Sequence, residues 1–247
     1  MDGINAKIAI QHDITGDETL VATGSVAFPI GHQFGLQLDG GFANLDTAAF
    51  GRIPVYGAGA HLFWRDPDWG LAGLYGNLLH VNDFGGLNYY RGAVEFERYL
   101  GRFSFETMVG LTGGDFIDVE PFTQATLAYY PMDDLRFEIG HSFTVNENAF
   151  DFGGEWAFGA IRSTAAAMYV NGSVFEGGGA TASAGLRFYF GQNDKPLINR
   201  HREDDPRVYL YMWGYIVKPF GGLFGYRGWF ETTCLRNISP FACSWRH

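Results

Sequence analysis

About twelve segments between Asn5 and Phe190 alternate apolar with polar or small side chains at period two, and their charges fall on one face only. Successive side chains of a strand point to opposite sides, so each segment reads as a sheet element with one apolar and one polar surface. Ala180–Phe190 is the clearest case. Ala182, Ala184, Leu186, Phe188 and Phe190 share one face, and Thr181, Ser183, Gly185, Arg187 and Tyr189 share the other. The same sorting sets Asp39, Arg91, Glu95, Glu97, Glu106, Arg136, Glu138, Asp151, Glu155 and Arg187 opposite the aromatic faces of their segments. Many segments run to about ten residues, enough to cross a bilayer when tilted and longer than the usual five or six in soluble sheets. No run of about eighteen apolar residues offers a spanning helix. A chain that spans lipid without helices must close its sheet, because lipid cannot satisfy an open edge. The expected fold is all-β, an antiparallel up-and-down transmembrane β-barrel of about twelve strands over residues 1–191. Its alternative is a soluble β-sandwich or binding barrel, in which the charged faces would meet solvent.

Mean hydropathy is −0.07, the average that alternating lipid-facing and lumen-facing residues produce. Gly, Pro, Asn and Asp clusters place short turns at 29–33, 66–69, 101–102, 131–134 and 159–160, and longer connections at 43–54, 82–88, 113–121 and 171–179. In transmembrane barrels short turns are periplasmic and long loops lie outside. A lipid-facing Arg or Lys near mid-bilayer costs roughly 2–4 kcal/mol, so the ten charged residues belong in the lumen. Counting out from the Leu100–Phe103 hairpin sets Glu97 opposite Glu106, with Glu95 two residues along. With Arg91, Arg136 and Arg187 these carboxylates would either brace a narrow lumen or favour small cations. A dozen strands leave limited bore once such side chains fill it, and a tail or loop could also plug it.

The terminal Phe190, preceded by Phe188 and Tyr189, resembles the closing strand of bacterial outer-membrane barrels, whose last aromatic is read by the barrel assembly machinery. Together with FPIGHQFGLQLDGG (28–41), HLFWRDPDWGLAGLYG (61–76) and GLRFYFG (185–191), it makes the chain over roughly 3–205 resemble a family of uncharacterised, porin-like bacterial outer-membrane barrels. The resemblance implies an outer-membrane location, with membrane lipid and the assembly machinery as partners. It names no catalytic residue.

Residues 192–206 are charged and read as a periplasmic extension; 207–247 are aromatic and glycine-rich without clean alternation, and read as an extra hairpin, a plug or a shifted-frame tail. Cys234 and Cys243 lie in that tail, spaced to allow a disulfide. Met1–Asn5 has neither a basic start nor an apolar core, so the chain reads as mature, truncated or mis-started rather than as a precursor. The net charge of −10 argues against a nucleic-acid partner.

Little in the sequence suggests chemistry. His141 and Ser142 are adjacent, so on a strand they face opposite ways and cannot act as base and nucleophile. His80 beside Asn82 and Asp83 reads as a solvated rim group, and His12, His32, His61, His201 and His247 show no metal-ligand spacing. The expectation is no catalytic site, no metal and no cofactor. The function expected is a structural barrel or a narrow pore for small solutes or ions, with an outer-membrane lipid hydrolase as the remotest alternative.

Overall fold

The computed structural model describes residues 3–15, 19–47, 51–82, 86–115, 117–161, 164–191, 195–204 and 206–207. Twelve antiparallel strands form a closed barrel: β1 (Asn5–Asp13), β2 (Leu20–Ile30), β3 (Phe34–Thr47), β4 (Gly51–Asp66), β5 (Gly70–Val81), β6 (Leu87–Leu100), β7 (Phe103–Gly114), β8 (Ile117–Met132), β9 (Leu135–Thr144), β10 (Glu147–Ile161), β11 (Thr164–Phe175) and β12 (Ala180–Phe190). Each strand pairs with its neighbours in sequence, and β1 closes the wall against β12 from Ala6↔Phe190 to Asp13↔Ser183. One rim, here the turn rim, carries the connections after the even-numbered strands and both ends of the wall. The opposite rim is the loop rim.

Period-two alternation survives closure intact. Ile8, Ile10, Leu38, Leu62, Leu74, Leu78, Val94, Val109, Ile139, Phe152 and Leu186 are among the large apolar side chains exposed on the outside. A soluble monomer rarely exposes a contiguous apolar patch beyond a few hundred Å², whereas a barrel exterior in lipid requires one. Aromatic side chains gather toward both ends of this surface, as membrane interfaces favour. At the turn rim Trp64, Trp69 and Phe96 make successive edge contacts at 5.7 and 5.5 Å, and Phe103 stacks on Tyr129 at 4.8 Å. Toward the loop rim Phe42 meets Tyr56 at 5.5 Å.

The strands are longer than their apolar alternation. β3 and β4 continue through the expected connection 43–54 until Thr47 pairs with Gly51, and β11 continues through Phe175. The expected loop 113–121 is mostly strand, with Gly114 paired to Ile117, and only Val145-Asn146, at φ 49° and 58°, separate β9 from β10. Past the apolar belt of the exterior the pattern changes face: Ala43, Leu45 and Ile53 turn inward, so the stretch reads as loop although its backbone stays paired. Gly159-Ala160 do not turn the chain; β10 runs on to Ile161, and the register slips between Ala157 and Gly159. Gly159 sits at φ 134°, where a glycine accommodates the extra residue of a bulge.

The interior is also not polar throughout. Along β2 to β6 near the loop rim, Val21, Ala43, Leu45, Ile53, Val55, Leu79, Val81, Leu87 and Tyr89 form a buried apolar cluster inside the barrel. Side chains without access to water must pack, and here both faces of the strands are apolar (Leu78 outward, Leu79 inward).

Residues 195–204 and 206–207 turn back into the turn rim. Leu197–Asn199 makes one α-helical turn and Arg200–Asp204 continues with π geometry. The Leu197 amide donates to Asp134 Oδ1 at 3.0 Å and the Ile198 amide to the Asp133 carbonyl at 2.9 Å, while Leu197 is fully buried against Ala165, Ala167 and Tyr189. Apart from Arg207, the segment 207–247, with Cys234 and Cys243, lies outside the described residues, as does Asp83.

Candidate lumen site

The ten charged residues lie on the inward parity of their strands, at several levels of the lumen. Nearest the loop rim, Arg91 donates to Thr112 Oγ1 at 3.2 Å and Thr144 Oγ1 at 3.1 Å and lies over the Phe122 ring at 4.7 Å. Asp151 accepts from Ser142 Oγ at 2.5 Å and Ser173 Oγ at 2.6 Å. Ser142 is thus turned inward, while His141 is exposed on the outer face. His80, in contact with Asn88 Oδ1 at 3.0 Å, sits on the outward parity of β5.

Midway down, His61 bridges two carboxylates. Its Nε2 is 3.0 Å from Asp39 Oδ2 and its Nδ1 is 3.0 Å from both oxygens of Glu95, with the ring fully buried and 4.5 Å from the Tyr75 ring. Glu95 is on β6 and must cross β5 to reach β4. It does so over Gly73, where a Cβ would lie 2.7 Å from Glu95 Oε1 and 2.9 Å from Phe63 Cβ. Gln37 Nε2 donates to Asp39 Oδ1 at 2.7 Å and completes the cluster. Two acceptors face both ring nitrogens, so both bonds form together when the ring carries both protons.

Below this the register pairs Glu97 with Glu106. Like charges directly opposite repel, and each has an answering group. Tyr99 Oη donates to Glu97 at 2.5 Å and Arg65 stands 3.9 Å away, while Arg136 binds Glu106 at 2.8 Å and Glu138 at 2.7 Å. Arg187 pairs with Glu155 and covers the Tyr169 ring at 4.4 Å.

The returning segment enters this group. Arg207 pairs with Glu138 and approaches Glu106 at 3.6 Å; Lys7 Nζ donates to the Pro206 carbonyl at 2.8 Å; Arg202 reaches Ser104 Oγ and the Phe103 carbonyl. His201 lies between Tyr130 Oη, 2.9 Å from Nδ1, and Tyr189 Oη, 3.0 Å from Nε2. Burial first, then Arg136, Arg187, Lys7 and Arg207, pushes its pKa well below the usual histidine value, so the ring is neutral at pH 7. Tyr189 donates to Glu155 Oε1 at 2.5 Å and therefore accepts from His201 Nε2–H, which leaves Nδ1 to accept from Tyr130. Tyr130 in turn accepts from Arg136 at 3.1 Å. A one-way chain results: Arg136 to Tyr130 to His201 to Tyr189 to Glu155.

Between these groups remains a cavity of about 40 Å³, lined by Lys7, Glu97, Glu155, Tyr169, Arg187 and Arg207 among others. It has room for about three or four waters, taking one per ~10–15 Å³. In the sequence His61 and His201 show no metal-ligand spacing. His61 did carry a signal, since it shares the inward parity of Arg65 on its strand. Nothing in the charged stretch 195–207 signals that it folds back.

No protein-family model matches the sequence, and no curated protein matches it. Solved structures do match in shape. The KdgM porin, solved in complex with disordered oligogalacturonate, aligns at TM-score 0.53 and 8% identity over 75% of this chain and 98% of its own. An outer-membrane channel from Pseudomonas putida F1 aligns at 0.52 and 13% identity over 76% and 94%. The translocator domain of the autotransporter NalP from Neisseria meningitidis aligns at 0.52 and 11% over 77% and 89%. At these identities the likeness concerns the fold, which is that of an outer-membrane β-barrel.

Proposed function

We propose that this chain is a bacterial outer-membrane barrel forming a narrow passage for water and small cations, closed at rest. The observation that carries the reading is a column of ionisable side chains enclosed by a wall whose exterior is apolar. Ionisable groups at membrane depth face water-filled cavities and mark pathways. Asp39, Glu95, Glu97, Glu106, Glu138, Asp151 and Glu155 line the column on several levels, and the shape likeness to a porin and a channel supports the reading. In this proposal the turn rim is periplasmic, the loop rim faces outward, lipid covers the belt, and the assembly machinery reads the β12 aromatics Phe188 and Phe190. No nucleic acid and no catalytic step take part.

Planar-bilayer recording of the refolded full chain tests this. Brief, cation-selective steps are expected, with selectivity reduced by Glu97→Gln. Silence from a barrel shown to be folded by heat-modifiable migration on a detergent gel would refute the passage. A monodisperse protein without detergent would refute the membrane location.

A further inference from the structure

Glu106 on β7 and Glu138 on β9 reach toward one another over β8, where the facing residues are the small Thr126 and Ala128. The wall answers this pair with Arg136, which holds Glu138 through Oε2 by Nε at 3.0 Å and Nη2 at 2.7 Å. The other oxygen, Glu138 Oε1, is the one that receives Arg207. Room for that oxygen is kept by Gly153, its register partner on β10, where a Cβ would stand 2.8 Å from Glu138 Oε1. Two carboxylates against one wall cation leave an excess negative charge in a group that is nearly buried, at 7% and 10% exposure. Arg207 supplies the missing cation as a planar fork, one nitrogen toward each carboxylate, a geometry that suits guanidinium and that an ammonium cannot reproduce.

We infer that Glu106 and Glu138 form a guanidinium site, occupied here by the chain's own Arg207, so that residues 195–204 and 206–207 close the turn rim as a tethered and displaceable ligand. The inference rests on the passage reading for its consequence, since a solute carrying a guanidinium group would compete with Arg207 and release the segment. It does not rest on that reading for the site itself. Arg136 orients both carboxylates from the wall, Gly153 leaves the receiving oxygen accessible, and the adjoining cavity lets water reach the exchange. Leu197, buried at the mouth, and the amide bonds to Asp133 and Asp134 keep the segment near while Arg207 is displaced.

The test uses the full chain in detergent and in planar bilayers, with Arg207→Ala, the double variant Arg207→Ala with Glu138→Gln, and methylguanidinium against methylammonium at equal concentration. A lost charge-assisted contact amounts to a change of roughly tenfold or more. Trypsin cleavage after Arg202 should accelerate by about that factor in Arg207→Ala. Methylguanidinium should raise the thermal midpoint of Arg207→Ala, methylammonium should do so far less, and the double variant should respond to neither. Equal response to the two cations, or an undiminished response in the double variant, overturns the site. Cleavage of the native chain as fast as the variant overturns the closure. Currents equal in the native chain and Arg207→Ala overturn the gate while leaving the passage standing. Silence in both, with cleavage accelerated as expected, refutes the passage and leaves the thermal response to decide the site.

Discussion

Acidification should undock residues 195–207, with His201 as the group responsible. In the barrel its ring is neutral and used at both nitrogens, accepting from Tyr130 and donating to Tyr189. A second proton removes the acceptor for Tyr130 and adds a cation among Arg136, Arg187, Lys7 and Arg207; Glu155, 3.8 Å from Nε2, offsets it in part, with Glu97, Glu106 and Glu138 across the cavity. The docked pKa is thus depressed below that of the free segment, near 6.5. The docking free energy from this group is complete above about pH 6.5 and is lost as pH falls below it. Each unit removes ~1.4 kcal/mol until the docked value is reached. Each such unit is about tenfold in the docking equilibrium. A fluorophore on Glu203→Cys, with Cys234 and Cys243 replaced by Ser, reports the segment directly. Its signal should change between pH 7 and 5, and His201→Gln, neutral throughout, should flatten that window while leaving any carboxylate transition at lower pH. A pH-independent signal, or the same transition in His201→Gln, would refute the assignment.

Two other outcomes follow from the wall. Val94→Arg puts a charge in the middle of the exposed apolar belt, opposite Leu74 and Val109, and should cost about 2–4 kcal/mol in a lipid-embedded barrel; urea unfolding in vesicles measures it, and a neutral result would mean that this face does not meet lipid. Gly73→Ala forces a methyl group against Glu95 and Phe63, and should cost about 1–3 kcal/mol by dislodging Glu95 from His61, read from the same unfolding curves.

Alternation and charge placement made the barrel legible in the sequence, because a two-residue period has only two faces and lipid tolerates charge on one of them. The strand number, the up-and-down order and the Glu97–Glu106 pairing all follow from that period and from the turns. Where the apolar residues change face, legibility stops. On the extensions of β3 and β4 beyond the apolar belt Leu45 and Ile53 point inward, and Gly159 reads as a turn although it makes a bulge. The lumen required three dimensions. Glu95 reaches His61 by passing over a glycine on the strand between them, and Glu138 meets Arg207 across 69 residues of chain. Such contacts depend on how far round the closed wall each strand stands and on which side chains leave space, neither of which a period along one strand records. The return of residues 195–207 was the least legible of all. A charged stretch after a closing strand suits water as well as it suits the lumen, and only the buried excess of carboxylate at the turn rim makes the lumen its place.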